Sequence, residues 1–217
     1  MMAITNENNK KHDAIIIEGV VGVGKTALME LLINKGYVPF NEPIEDNPIL
    51  DKFYYNRERY AFTLQIFFLS KRFEQIHRAS EIENVIMDRS IYGDAIFAKV
   101  LNQTRELSNV EYEIFIELLN NMLTFVRKPK LLIYLSASTE ELIKQIRERG
   151  RDYELEVESE YWDRLNKAYE EYFESYVLSP MLKIDVDGLD FKNNPLDQEY
   201  VISLIENELA IIERAEQ

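Results

Sequence analysis

A glycine-rich segment, Gly19–Thr26, constrains the fold of this chain more than any other feature of its sequence. The segment reads GVVGVGKT and matches the pattern G-x-x-x-x-G-K-[ST]. It follows an apolar run at residues 14–18 and precedes a helical pattern, which is the strand, turn and helix context in which this pattern cradles phosphate groups. Backbone amides of the turn and the positive end of the helix both attract phosphate oxygens. The sequence therefore predicts a nucleoside triphosphate site in an α/β fold.

Two side chains of this segment have expected roles. Lys25 should contact the β- and γ-phosphates, and the hydroxyl of Thr26 should ligate Mg²⁺. The residues predicted to bind phosphate in the segment are Gly19, Gly22, Val23, Gly24, Lys25 and Thr26.

Short apolar runs alternate with helical patterns along the chain. Strands are predicted at residues 14–18, 37–42, 84–88, 130–135 and 181–186, and helices at 25–34, 59–80, 91–101, 110–126, 139–149, 159–176 and 197–214. This alternation predicts a three-layer α/β sandwich of the P-loop NTPase type, with a five-stranded parallel sheet flanked by helices. No repeat or Pro/Gly-rich linker divides the chain. We therefore expect a flexible N-terminal arm at residues 1–13 and a single domain at 14–217.

The charge balance excludes several classes of partner. The chain has 39 Asp and Glu against 25 Lys and Arg, a formal net charge of −14. A sequence-independent nucleic-acid binder or a binder of anionic membranes needs the opposite balance. With no cysteine and only 2 histidines, neither a thiol nucleophile nor a metal site built on these residues is expected. Since no apolar run approaches the length of a membrane span or a signal peptide, we expect a soluble cytoplasmic protein.

Carboxylates end two of the predicted strands. Because the carboxyl ends of parallel strands face the phosphate site, we expect Asp88 to hold Mg²⁺, directly or through water. Asp88 or Ser90 could equally cap the helix that follows. Glu42 could accept a proton from a hydroxyl that attacks the γ-phosphate, which favours an alcohol acceptor over a phosphate acceptor. An ordinary turn-capping glutamate is the alternative for Glu42.

Polar residues in two helical patterns also suggest a site. Arg147, Arg149 and Arg151 lie around Gly150, which predicts that a helix ends there and that the arginines converge on an anion as a phosphate lid. The alternative is that they only complement the dipole at the helix C-terminus. Gln65 lies in a strongly apolar helix, where a buried amide needs polar partners.

Six segments together resemble the deoxynucleoside kinase family, most closely its bacterial deoxyadenosine/deoxyguanosine kinase branch. They are EGVVGVGKT, NEPIEDNPIL, FYYNRERYAFTLQIFFLSKRF, DRSIYGDAIF, RERGRDYE and SPMLKIDVDGLDF, in family order and covering nearly all of the chain after residue 13. The resemblance implies that Glu42 is the general base for the substrate 5′-hydroxyl and that Arg89 contacts the reacting 5′ end and the phosphoryl group. Asp88 stands where many relatives carry glutamate, so magnesium binding is implied to persist.

The resemblance also implies a substrate site. Tyr54 and Glu154 match the residues that hold the sugar 3′-hydroxyl, and Arg149 and Arg151 match the lid arginines. A further lid arginine of the family would fall near Gln145, and Arg147 could replace it. Gln65 would pair with N6 and N7 of adenine. The other residues implied to surround the base are Arg72 and Asp94, with Phe62, Phe68 and Phe191 against the ring.

The implied activity is ATP-dependent phosphorylation of the 5′-hydroxyl of a purine deoxynucleoside, deoxyadenosine or deoxyguanosine, in nucleotide salvage. A kinase for deoxycytidine or another deoxynucleoside, or a thymidylate-type nucleoside monophosphate kinase, is the alternative. A P-loop switch that only holds nucleotide is a third possibility from another class of protein. The implied cofactor is Mg²⁺ with ATP, and the implied partners are the nucleoside, ATP and a second copy in a homodimer, with neither nucleic acid nor membrane.

Overall fold

A computed structural model describes residues 12–44 and 47–216 of the chain, with side chains from residue 14 onward. Its strands are β1 His12–Glu18, β2 Val38–Phe40, β3 Val85–Asp88, β4 Pro129–Ser136 and β5 Met181–Asp185. Its helices are α1 Lys25–Ile33, α2 Leu50–Tyr55, α3 Arg57–Ala79, α4 Asp94–Gln103, α5 Asn109–Leu123, α6 Thr139–Arg149, α7 Asp152–Leu155, α8 Ser159–Glu174 and α9 Pro195–Ala215. The predicted flexible arm lies outside the described residues, except for its last two residues, which already belong to β1.

The strands form one sheet in the order β2-β3-β1-β4-β5, and every neighbouring pair is parallel. β1 is central, with Ile16 opposite Met87 on one side and Leu132 on the other. Parallel strands need crossover helices, and each of the predicted crossovers is present. The predicted fold, a five-stranded parallel sheet flanked by helices in three layers, is confirmed.

The two faces of the sheet are covered by two different apolar clusters. Ile15 and Ile17 of β1 join an apolar cluster that includes residues of α1 and α9. Ile16 points to the opposite face and joins a cluster formed by α3, α4 and α5. Successive side chains of a strand alternate between faces, so an uninterrupted apolar run is what burial on both faces requires.

Two short helices and one helix start were not predicted. α2 and α7 contain 6 and 4 residues, too few to produce a clear periodic pattern. α4 begins at Asp94 rather than Ile91 because Arg89 has a positive φ of 66° and the following residues form a turn. This turn directly follows β3 and contributes to the site described below.

None of the helices in the described part of the chain combines the length and the apolar composition that a bilayer crossing demands.

Candidate active site

A cavity of about 460 Å³ opens where the glycine-rich segment, the ends of β2 and β3, α3 and the α6–α7 region meet. Most of the residues predicted from the sequence line it. They are Gly22, Gly24, Lys25, Thr26, Glu42, Tyr54, Gln65, Phe68, Arg72, Asp88, Arg89, Arg149, Arg151 and Glu154. The volume falls in the range typical of small-molecule sites.

The glycine-rich segment forms one wall of the cavity. Nζ of Lys25 donates hydrogen bonds to the carbonyl oxygens of Gly19 and Val20, each at 3.0 Å. Burial, followed by repulsion from Arg89, lowers the pKa of Lys25 to about 8. Gly19 and Val23 were also predicted to bind phosphate. Both are buried in the turn and do not line the cavity.

Phe191 has a different role from the predicted one. Its ring packs against the glycine-rich segment, where a Cβ on Gly24 would lie 2.7 Å from Cζ of Phe191. Gly24 also has a φ of +97°, which side chains of L-residues rarely adopt, so both space and conformation require glycine there. Phe191 is buried outside the cavity wall and supports the phosphate-binding turn. Because Phe191 does not line the cavity, the structure gives no support to the predicted stacking on the substrate base.

Glu42 forms two ion pairs through a single oxygen. Its Oε1 lies 2.8 Å from Nη2 of Arg72 and 3.0 Å from Nε of Arg89. No hydrogen bond from the described residues reaches its Oε2. Burial disfavours the charged carboxylate, but Arg89 and Arg72 outweigh burial and hold the pKa of Glu42 below its ordinary value. The site therefore contains an ionised carboxylate with one oxygen available to a ligand.

The two arginines are themselves buried and held by second partners. Arg72 contacts Asp94, which is buried behind the cavity wall. Arg89 contacts the hydroxyl of Tyr169 on α8, and its guanidinium lies 5.1 Å from the centre of the Phe97 ring. Buried charges require such partners, because an unpaired charge in an apolar interior is very costly. The arrangement fixes both guanidiniums around Glu42.

Asp88 and Thr26 fit a magnesium site. Oδ1 of Asp88 is buried, lines the cavity region and has no hydrogen-bond partner among the described residues. Burial raises the pKa of Asp88 and outweighs the nearby charge of Lys25, which lowers it. The described residues contain no cluster of three or more acidic or His side chains for a metal. Mg²⁺ commonly takes only one or two protein ligands and completes its shell with phosphate oxygens and water, so this sparse donor set suits it.

The inner end of the cavity combines one amide with an apolar lining. Gln65 is 4% exposed and lines the cavity, and its side-chain amide has no hydrogen-bond partner among the described residues. Phe68 lies beside it, and Arg72 is 4.8 Å above the Phe68 ring. Phe62, predicted to contact the base, packs on the apolar core of this face instead and does not line the cavity.

Several lining residues were missed by the sequence interpretation. They are Ile44, Leu50, Phe53, Leu64, Phe97, Leu101, Tyr153 and Tyr161. Phe97 follows Asp94 by three positions on α4, so its helical spacing from a predicted site residue could have indicated it. The others are apolar or aromatic residues whose pattern is the same as that of a core position.

Arg149 and Arg151, on either side of Gly150, line the cavity where α6 ends. α6 ends at Gly150, and the side chains of Arg149 and Arg151 then converge on Glu154, which is 3% exposed. Arg147 is exposed on the last turn of α6 and does not line the cavity, so its predicted phosphate role is not supported. Residues two apart on a helix do not share a face. Because the helix ends at Gly150, Arg149 and Arg151 can both reach Glu154.

Two tyrosines connect this region to the opposite wall. Tyr54 at the end of α2 lies against Tyr153 of α7, with ring centroids 4.9 Å apart. Burial, followed by the neighbouring Tyr161, raises the pKa of Tyr54, so its hydroxyl stays protonated and available as a donor. Tyr54 and Glu154 therefore both line the cavity near Tyr153, and their role at the sugar 3′-hydroxyl stays a prediction.

The comparisons with known proteins all identify the same family. A family model described as deoxynucleoside kinase matches residues 15–210. A deoxyguanosine kinase of Lactobacillus acidophilus is 37% identical over 90% of this chain and 90% of its own length, and a deoxyadenosine kinase of the same organism is 35% identical over 90% and 95%. A solved deoxyadenosine kinase from M. mycoides with bound dATP is 35% identical with a TM-score of 0.80, covering 89% of this chain and 99% of that one.

Proposed function

The chain belongs to the deoxynucleoside kinase family, and from this premise we propose that it transfers the γ-phosphoryl group of ATP to the 5′-hydroxyl of a purine deoxynucleoside. The observation that carries the proposal is the ionised Glu42 carboxylate, which shares one cavity with Lys25 of the phosphate-binding turn and with the buried amide of Gln65.

Glu42 accepts the proton of the 5′-hydroxyl. Its Oε1 is held by two guanidiniums, and its Oε2 receives the hydroxyl hydrogen as the oxygen attacks the γ-phosphorus. Arg89 lies beside this point and stabilises the negative charge of the phosphoryl oxygens. Positioning and charge stabilisation supply most of the rate enhancement in phosphoryl transfer, so a low-pKa carboxylate is a sufficient acceptor.

The donor phosphates lie on the glycine-rich turn. Lys25 exchanges its contacts with the carbonyl oxygens of Gly19 and Val20 for the β- and γ-phosphates. Arg149 and Arg151 approach the same phosphates from the lid. Thr26 and Asp88 would hold Mg²⁺, which when bound would neutralise charge on the phosphates.

The sugar is positioned at the outer side of the cavity. The hydroxyl of Tyr54 and the carboxylate of Glu154 bind the 3′-hydroxyl, one as donor and the other as acceptor. The bulk of Tyr54, packed against Tyr153, leaves little space near the adjoining sugar carbon and favours a 2′-deoxy sugar.

The base contacts Gln65 at the inner end. Its carboxamide presents a donor next to an acceptor, which complements N7 and the N6 amino group of adenine. Rotation of the amide makes the same pair fit cytosine, whereas guanine presents two acceptors on that edge and needs donors from Arg72. The chain is about equally similar to a deoxyguanosine kinase, at 37% identity, and to a deoxyadenosine kinase, at 35%. The chemistry of Gln65 favours adenine.

A nucleoside monophosphate kinase of the thymidylate type needs cations free to bind an acceptor phosphate. The two buried arginines next to the acceptor position, Arg72 and Arg89, are instead paired with Glu42 and Asp94. An acceptor phosphate would also be repelled by Glu42. The geometry therefore supports an alcohol acceptor.

A panel of acceptors tests the proposal. Purified protein with ATP and Mg²⁺ is assayed with the four deoxynucleosides, adenosine and dTMP, and each is scored as kcat/KM. We expect a purine deoxynucleoside, with deoxyadenosine above deoxyguanosine, to be the best acceptor, and EDTA to abolish turnover. If dTMP is the best acceptor, or if ATP is consumed at the same slow rate without any acceptor, the proposed reaction is wrong.

We also propose that the protein is a homodimer in the cytoplasm, where both of its water-soluble substrates would be available. The outer face of α5 exposes Val110 and Ile114, and Phe67 and Phe73 of the neighbouring α3 are only partly buried. Such apolar helix faces are commonly covered by a second copy. Sedimentation equilibrium should give twice the chain mass of 25.7 kDa, and a monomer would refute the dimer.

A further inference from the structure

Glu18, the last residue of β1, is a buried carboxylate that the proposed mechanism does not use. It is 0% exposed. Its Oε1 accepts hydrogen bonds from the backbone amide of Ser90 at 2.8 Å and from the Ser90 hydroxyl at 3.1 Å. Its Oε2 has no hydrogen-bond partner within the part of the chain that the structure describes. Burying a carboxylate is costly unless it makes compensating hydrogen bonds. The contacts with Ser90 therefore indicate what the buried side chain of Glu18 does in the fold.

The turn that Glu18 holds begins in an unfavourable backbone conformation. Arg89 has a φ of 66°, in the left-handed region that residues other than glycine rarely occupy. The amide of Arg89 donates to the carbonyl oxygen of Ile17 at 2.9 Å, which completes the pairing of Ile17 with Asp88 at the end of the β1–β3 ladder. The next amide, that of Ser90, donates to the Glu18 side chain. β1 therefore holds both amides of the turn, the first through its main chain and the second through a carboxylate.

Gly93 makes room for this carboxylate. A Cβ on Gly93 would lie 2.8 Å from Oε2 and 2.9 Å from Oε1 of Glu18. The φ of Gly93 is −78°, which any residue can adopt, so glycine is required here for space and not for conformation. The close approach fixes the carboxylate between the turn and the start of α4.

The turn determines where the Arg89 side chain begins. From this turn the guanidinium, 3% exposed, reaches Glu42 and the hydroxyl of Tyr169. A turn that relaxed to an ordinary φ would carry the side chain away from Glu42. A displacement of about 1 Å at a reacting group is enough to lower the rate by about 10²-fold.

We propose that Glu18 is a positioning residue: its carboxylate fixes the turn at Arg89 and Ser90 and thereby places the Arg89 guanidinium against Glu42. The proposal rests on the proposed function in one respect, the role of Arg89 in phosphoryl transfer. Glu18 itself touches neither substrate.

Two substitutions with side chains about as long as that of Glu18 distinguish a positioning role from a packing role. Glu18→Met keeps the volume but removes the acceptor for Ser90, and we expect kcat to fall by about 10²-fold while the KM values for deoxynucleoside and ATP change by less than about threefold. Glu18→Gln keeps a carbonyl oxygen for the Ser90 amide and should recover most of the lost turnover. Asn166→Leu is the matched control, because it removes a buried hydrogen-bonding group of α8 that lies away from this turn and should lower the melting temperature without lowering kcat.

Combination with Arg89→Ala shows whether the two residues act as one unit. The double variant Glu18→Met/Arg89→Ala should be no slower than Arg89→Ala alone. Wild-type turnover in folded Glu18→Met, or multiplicative effects in the double variant, would overturn the proposal. Should Glu18→Met not fold, Gly93→Ala provides the second test, since a methyl group there displaces the carboxylate from Ser90. Turnover equal to that of the wild type in Gly93→Ala would contradict the proposal equally.

A crystal structure of Glu18→Met provides a readout that does not depend on the reaction. We expect Arg89 to leave the positive-φ region and its Nε to move beyond the 3.0 Å contact with Glu42. An unchanged turn would refute the positioning role even if the protein proved to phosphorylate another acceptor. Failure of the acceptor panel with an altered turn would instead refute the proposed function alone.

Discussion

Nε of Arg89 lies 3.0 Å from Oε1 of Glu42, in a buried ion pair at the junction of β2 and β3. Arg72 contacts the same oxygen at 2.8 Å. The two cations keep the carboxylate ionised, and because they share Oε1, they leave Oε2 without a partner among the described residues. One side chain is thereby both charged and accessible.

Glu42→Gln should lower kcat by about 10²–10⁴-fold, because the amide cannot accept the 5′-hydroxyl proton. The KM for the deoxynucleoside should change much less, since the amide can still hydrogen-bond to the hydroxyl. Steady-state kinetics with ATP in excess measures both. Glu106→Gln is the matched control: Glu106 also pairs with an arginine, Arg57, but outside the cavity, and its loss should leave kcat unchanged. Near wild-type turnover in Glu42→Gln would show that Glu42 is not the base.

The pH profile of kcat/KM should reflect the depressed pKa of Glu42. A base works only when deprotonated, so activity falls as the pH drops through its pKa, which here lies below the ordinary value of 4.5. The same ion pairs stabilise the fold above the unfolded-state pKa, and this stabilisation is lost as the pH falls through the folded-state pKa. Arg72→Gln removes one of the two cations and should move the acid limb to higher pH. An acid limb at the same pH in wild type and variant would contradict the electrostatic role of Arg72.

Glu154→Gln should weaken deoxynucleoside binding without weakening ATP binding. Loss of a charged acceptor for the 3′-hydroxyl is worth about 1.5–3 kcal/mol, or about 10-fold to 10²-fold in KM for the deoxynucleoside. The KM for ATP should stay the same or fall, because Arg149 and Arg151 no longer pair with a carboxylate. A 2′,3′-dideoxynucleoside serves as the control substrate, since wild type and variant should use it about equally. A variant that discriminates against both nucleosides to the same extent would place Glu154 away from the 3′-hydroxyl.

Phe191→Ala should impair the donor site and spare the acceptor site. The ring supports Gly24 from behind, and its loss should destabilise the fold by about 3–5 kcal/mol, as is usual for a buried Phe. We expect the KM for ATP to rise and the KM for the deoxynucleoside to stay within about twofold of wild type. Phe191→Leu, which keeps most of the volume, is the control and should recover ATP binding. A selective rise in the deoxynucleoside KM would instead favour a contact between Phe191 and the base.

Much of the candidate site could be predicted because it is built from short sequence patterns with known structural consequences. The spacing of Gly19, Gly24 and Lys25 is a property of a single turn, and parallel strands deliver Glu42 and Asp88 to the same edge of the sheet. Phe62 and Phe191 were expected at the base and do not line the cavity. The sequence could not show this, because an aromatic residue has the same pattern whether it contacts a ligand or another part of the chain. Only the packing of the elements distinguishes these two uses.

The sequence by itself determined the order of strands and helices, the phosphate-binding turn and the break at Gly150 that frees two arginines from a helix face, since hydrophobic periodicity and glycine act over a few residues. Tertiary structure alone decided that Arg72 and Arg89 share one oxygen of Glu42, and that the carboxylate of Glu18 rests on Ser90, 72 positions along the chain. Buried charges need partners, and the partner is chosen by which surfaces meet in the folded protein and not by distance along the sequence.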